Sequence, residues 1–74
     1  MIDVVIQNET DLATALKQRR HELGVTQQSL AKYANLSHNG ISRIEMADKS
    51  IRLSTFLKIA KVLGFKIVLR MEKE

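Results

Sequence analysis

Residues 26 to 45 read TQQSLAKYANLSHNGISRIE. The apolar positions are Leu30, Ala31, Ala34, Leu36, Ile41 and Ile44, and nearly everything between them is polar. Spacings of three and four residues on either side of Ala34-Asn35-Leu36 predict two short helices with a tight turn between them. Thr26 and Ser37 stand where N-caps belong, which sets the helices at about 27–34 and 38–46. With Gln27 as the first position of a helix-turn-helix unit, Leu30 and Ala31 are fourth and fifth, and a small fifth residue lets the helices cross closely. Asn35 is ninth, in the turn, where a positive φ is wanted and asparagine tolerates it. Leu36, Ile41 and Ile44 then anchor the second helix, so Ser37, His38, Asn39, Ser42 and Arg43 must face outward. A helix presented in this way can enter the major groove of double-stranded DNA.

Outward from this unit, "NETD" offers caps at Asn8 or Thr10 for a first helix running to about Leu23, with Leu12, Leu16 and Leu23 on one face and Arg20 near it. Gly24 fits the left-handed position just past its end. Residues 47–53 read as a loop. Ser54 is the expected cap of a fourth helix to Leu63, with Phe56, Leu57, Ala60 and Leu63 turned inward and Gly64 closing it. The tail changes period: Phe65, Ile67, Leu69 and Met71 alternate with Lys66, Val68, Arg70 and Glu72, which predicts a strand over 65–72 with one apolar face. A lone strand satisfies neither its backbone nor that face. Its partner is either "IDVVI" at residues 2–6 or the same strand of a second chain, and the expectation is a homodimer held by Phe65, Ile67, Leu69 and Met71.

The 74 residues predict one domain over 1–74 with a small core, a size for which oligomerisation is a common support. Absence of cysteine excludes disulfides and thiolate metal sites and fits a reducing cytosol. The apolar runs are too short to cross a bilayer, and "MIDVVIQNETD" lacks the basic flank of a signal peptide. The net charge of +4 suits a nucleic-acid partner, and its placement says more: Lys17, Arg19 and Arg20 cluster, while Lys49 and Arg52 flank one loop. His21 and His38 are far apart with few carboxylates near them, and no metal-ligand spacing, nucleophile motif or phosphate loop appears, so neither catalysis nor a cofactor is expected.

The "TQQSLA" opening, the "LS" turn, the "GISRIE" helix and "LSTFLKIAKVLG" resemble the Xre (Cro/CI-type) helix-turn-helix regulators over roughly residues 12–64. Within that family, the "NETDLATALKQRR" start and the trailing strand look like the HipB-type antitoxins. The resemblance implies a mainly α, lambda-repressor-like bundle of about four helices with a C-terminal dimerisation strand. It further implies a cytoplasmic, nucleoid-associated repressor that reads an inverted-repeat operator, autoregulates its operon and binds a HipA-like kinase toxin. A stand-alone phage-type or housekeeping repressor, or a protein-interaction module, is the alternative. Base contacts are expected from Ser37, His38, Asn39, Ser42 and Arg43, with Arg43 suited to guanine, Asn39 to adenine, and His38 to base or phosphate. Phosphate contacts are expected from Gln27, Gln28, Arg19, Lys32, Lys49, Ser50 and Arg52. Arg20 and Glu45 match a structural ion pair of the family. Ala47 and the proline-free loop depart from it, and Gly40 lies inside the proposed recognition helix, where Asn39-Gly40 reads alternatively as a hairpin turn.

Overall fold

Four helices follow one another in the computed structural model, which describes residues 2–73: α1 Glu9–Glu22, α2 Gln27–Tyr33, α3 His38–Glu45 and α4 Leu53–Val62. Three of the four starts follow from short polar side chains. Asn8 accepts from the Asp11 N–H at 2.8 Å, Thr26 from the Ser29 N–H at 3.0 Å and Ser37 from the Gly40 N–H at 3.1 Å. Each satisfies one of the amides that a helix start leaves without a partner. The expected Ser54 cap is not formed. α4 begins at Leu53, two residues before the start that a Ser54 cap implies, and its cap position, Arg52, supplies no side-chain hydrogen bond.

All four helices end the same way. The residue two past the last helical one takes a positive φ: Gly24 (68°), Asn35 (57°), Ala47 (61°) and Gly64 (87°). In each case the next N–H reaches back six residues inclusive, as Val25 to the Arg20 carbonyl, Leu36 to Ala31, Asp48 to Arg43 and Phe65 to Ala60. This is the Schellman arrangement, which normally closes with an apolar residue at the final position. Val25, Leu36 and Phe65 comply and lie partly buried against the core. After α3 that position holds Asp48 instead, which matters for the site below.

The core is Leu16, Leu30, Ala31, Ala34, Ile41, Ile44, Ile59 and Leu63, with Leu12, Ile51 and Phe56 packed at its margin. Leu30, Ile41, Ile59 and Leu63 are fully buried, and truncating any one to alanine is expected to remove about 2–5 kcal/mol. Two expected contributors do not join. Leu23 and Leu57 are exposed, and Ile59 replaces Leu57, because Phe56, Ile59, Ala60 and Leu63 form the inward stripe and Leu57 falls beside it. The Asn39-Gly40 hairpin alternative is also settled, since both lie within α3.

The expected strand over 65–72 is absent. No strand occurs among the described residues. Phe65 packs on the core, but Ile67, Leu69 and Met71 are exposed, Leu69 by 97%. Residues 2–6 are equally unpaired, with Ile2 91% exposed, and the described link between the segments is an exposed Arg70–Asp3 ion pair at 3.2 Å. A strand exists only as a ladder with a second backbone, and a single chain does not pair these two.

Candidate nucleic-acid interface

α3 is set by Ile41 and Ile44, both buried, and by α2 packing across it. This leaves Ser37, His38, Asn39 and Arg43 exposed and Ser42 half-buried on the outer side, as their spacing predicts. Asn39 has no side-chain hydrogen bond among the described residues, and the Ser42 hydroxyl lies 3.9 Å from the Met46 sulfur, so both are available. Gln28, Lys32, Lys49 and Arg52 are exposed.

Beneath this face runs a polar network. Arg20 Nε donates to Glu45 Oε2 at 2.7 Å and Arg20 Nη2 to Oε1 at 3.0 Å, and the two side chains are 9% and 3% exposed. Arg20 Nη1 donates to the Val25 carbonyl at 2.8 Å, and Nη2 lies 3.0 Å from His21 Nε2. The ion pair implied by the family resemblance is therefore formed, buried and bidentate. It joins the last residue of the candidate recognition helix to α1 and fixes the helix's angle. Burial pushes the Glu45 carboxyl up, but hydrogen bonds from Arg20 and Gln27 and the charges of Arg20 and Lys17 outweigh it and hold the group below its ordinary value.

Gln27 extends the network. Its Nε2 donates to Glu45 Oε1 at 3.0 Å, and its Oε1 lies 3.0 Å from His38 Nε2. Glu45 can only accept, so the amide orientation follows, and His38 must donate from Nε2. The side chain expected on phosphate thus links the first residue of α3 to the buried pair. Two other expected phosphate contacts are also engaged internally. Arg19 Nε donates to the Leu63 carbonyl at 3.0 Å, closing the end of α4, and its Nη1 lies 3.5 Å from Glu22. Ser50 is held on Asp48 and Arg43.

Arg43 does not extend freely. Its Nε donates to Asp48 Oδ2 at 2.7 Å and its Nη2 to the Ser50 hydroxyl at 2.6 Å. Asp48 Oδ1 accepts from the Ser50 N–H at 2.8 Å and hydroxyl at 2.7 Å. The Ser50 hydroxyl, its backbone N–H and then Arg43 hold the Asp48 carboxyl well below the usual carboxylate range. Reading the sequence alone misses Asp48. The signal was present, because an aspartate stands where the closing motif of a helix ordinarily has an apolar residue. Among the described residues, no group of three or more His, Cys, Asp or Glu side chains could hold a metal ion, and no helix is long and apolar enough to cross a membrane.

Comparisons with known proteins agree with this geometry. A search of curated proteins returned no match. Among solved structures, the chain is similar to one described as "Structure of HipA-HipB-O2-O3 complex", with 35% identity, a TM-score of 0.85, and coverage of 93% of this chain and 97% of that one. A "HipB-O4 20mer complex" matches equally. A complex of a HipB point variant with an O2 20-mer matches at 33% identity and a TM-score of 0.87, over 99% of this chain and 100% of that one. The Helix-turn-helix family profile matches residues 16–69. The chain belongs to the helix-turn-helix family of DNA-binding regulators and has the HipB antitoxin fold.

Proposed function

We propose that the protein is a sequence-specific double-stranded DNA-binding repressor, acting as a homodimer on an inverted repeat, and that it is the HipB-like antitoxin of a toxin–antitoxin pair. The observation that carries the DNA reading is the outer face of α3. A short helix held at both ends, by Ser37 and by the buried Arg20–Glu45 pair, presents His38, Asn39, Ser42 and Arg43 together. Base edges in a major groove offer the donors and acceptors these side chains match. Gln28, Lys32, Lys49 and Arg52 are exposed cations and amides able to meet phosphate, which sets register and salt dependence without reading sequence.

The dimer reading rests on the tail. Ile67, Leu69 and Met71 are apolar, regularly alternating and exposed, and a backbone without a ladder accompanies them. Pairing with the same segment of a second chain, antiparallel about a two-fold axis, satisfies both the edge and the apolar side. Phe65, packed on the core, would anchor the segment.

The toxin reading is supported by the likeness to HipB, one of whose matched structures is described with HipA. With α3 committed to DNA, a HipA-like kinase toxin needs another surface. The outer faces of α1 and α4 are free, including exposed Lys58 and Lys61. DNA and toxin can then bind together, each strengthening the other through linkage, and the operon is autoregulated. Co-purification from cells expressing the native gene cluster tests this. Recovery of a kinase-like partner encoded beside this chain is expected. Recovery of the chain alone, with no neighbouring reading frame toxic by itself, leaves a stand-alone repressor.

A further inference from the structure

We infer that Asp48 and Ser50 are positioning residues for base readout: they hold the Arg43 guanidinium by one edge so that its other edge is presented, already oriented, to a guanine. This inference rests on the DNA-binding reading above.

A guanidinium has five N–H groups on three nitrogens. Asp48 takes the Nε–H at 2.7 Å, and the Ser50 hydroxyl accepts from Nη2 at 2.6 Å. Both belong to the Nε/Nη2 edge. The Nη1/Nη2 end keeps its two forward N–H groups, and these are the pair that matches guanine O6 and N7. The serine hydroxyl is itself fixed, because it donates to Asp48 Oδ1 at 2.7 Å while that same oxygen accepts the Ser50 N–H at 2.8 Å.

The backbone builds this clamp. α3 ends with Ala47 at φ 61°, and the Asp48 N–H returns to the Arg43 carbonyl at 3.1 Å. The reversal brings residue 48 back over residue 43. In the other three helix ends the corresponding residue is Val25, Leu36 or Phe65, turned to the core. Only after α3 is it charged, and it faces the arginine of the groove-facing set. A free arginine surrenders several rotatable bonds on reaching a base, and one already clamped surrenders fewer. The alternative is that Asp48 holds Arg43 away from DNA, in which case removing the carboxylate would sharpen recognition.

The test uses the full-length protein and its selected operator, with each base pair varied in turn. Arg43→Ala should lose roughly tenfold or more of discrimination at one G·C pair. Asp48→Asn keeps an oxygen for the Ser50 N–H but puts an amide in place of Oδ2, so the loop stays closed while Arg43 Nε loses its acceptor and Ser50 alone holds the guanidinium. It should lose most of the same discrimination at the same pair and leave the other positions unchanged. Its affinity for all sequences rises together because a negative charge has gone, so the ratio between sequences is the readout. Ser50→Ala should fall between wild type and Asp48→Asn. Matching far-UV circular dichroism and melting transitions establish that the variants fold. An unchanged or sharpened ratio in Asp48→Asn overturns the proposal, as does an Arg43→Ala protein with wild-type preference at every pair. A wild-type protein that selects no sequence removes the DNA reading itself, and the positioning role with it.

Discussion

Replacing Arg20 with methionine is expected to destabilise the protein by about 3–5 kcal/mol, the usual consequence of removing one partner of a buried ion pair. The structure supports the upper half of this range. The substitution strands the Glu45 carboxylate, 3% exposed, with Gln27 as its remaining hydrogen-bond donor, and leaves the Val25 carbonyl without its 2.8 Å partner. A chain of 74 residues has roughly 4–11 kcal/mol in total, so Arg20→Met should lose about a third of its stability or more and unfold at a much lower denaturant concentration than the wild type. Arg19→Met is the control on the neighbouring residue. It loses one hydrogen bond to the Leu63 carbonyl and a 3.5 Å pair with exposed Glu22, about 0.5–1.5 kcal/mol together. Denaturant titration of both variants with the slope held constant gives the comparison. The double variant Arg20→Met with Glu45→Leu should recover most of the loss, because no buried charge is then left alone. Protonation supplies a second check. In the wild type the Glu45 pKa is held below the ordinary carboxylate value, so its contribution is complete above that ordinary value and is lost as pH falls through the lowered one. In Arg20→Met burial acts without the guanidinium, the Glu45 pKa rises, and the gap to wild type should narrow as the pH is lowered. Equal midpoints for the two arginine variants, or a gap that widens with acid, would refute the reasoning.

Ala47→Gly should stabilise the fold by roughly 0.5–1 kcal/mol, since Ala47 sits at φ 61° where a Cβ is unfavourable; a lower melting temperature contradicts that. Gly40→Ala should separate stability from binding. A Cβ there meets the Ser37 hydroxyl oxygen at an unstrained 3.5 Å, so the helix gains about 1 kcal/mol, whereas operator affinity falls if the bare backbone approaches DNA. Parallel gains in melting temperature and affinity would show that the glycine serves no such approach. Truncation after Gly64 should give a monomer by light scattering, and a truncated dimer would remove the tail from the interface.

The helix-turn-helix was legible because its determinants are local. Caps at Asn8, Thr26 and Ser37, a left-handed residue at Asn35 and the Leu36, Ile41 and Ile44 spacing act over a few residues each. Failures came where a distant group decides. Residues 65–72 carry the alternation of a strand, but alternation supplies no second backbone. Ser54 is an able cap, yet the inward stripe of Phe56, Ile59, Ala60 and Leu63 is served by a helix already begun at Leu53. The candidate site divides along the same line. Exposure of His38, Asn39 and Arg43 follows from periodicity, whereas the Gln27 bridge and the Asp48–Ser50 clamp depend on how turns fold chain back on chain. Asp48 is easily passed over because an aspartate in a loop ordinarily faces water, although its place where a helix end ordinarily closes with an apolar residue marks it.

Selection of genomic fragments by the purified full-length protein tests the central claim most directly. Enrichment of an inverted repeat is predicted, with half-sites about one helical turn apart, roughly 34 Å centre to centre, or a multiple of that spacing. Affinity for the enriched site should fall steeply with salt, and sequence preference should be lost in Arg43→Ala. Recovery of fragments without a common motif, at affinities no better than for random DNA, would contradict the account.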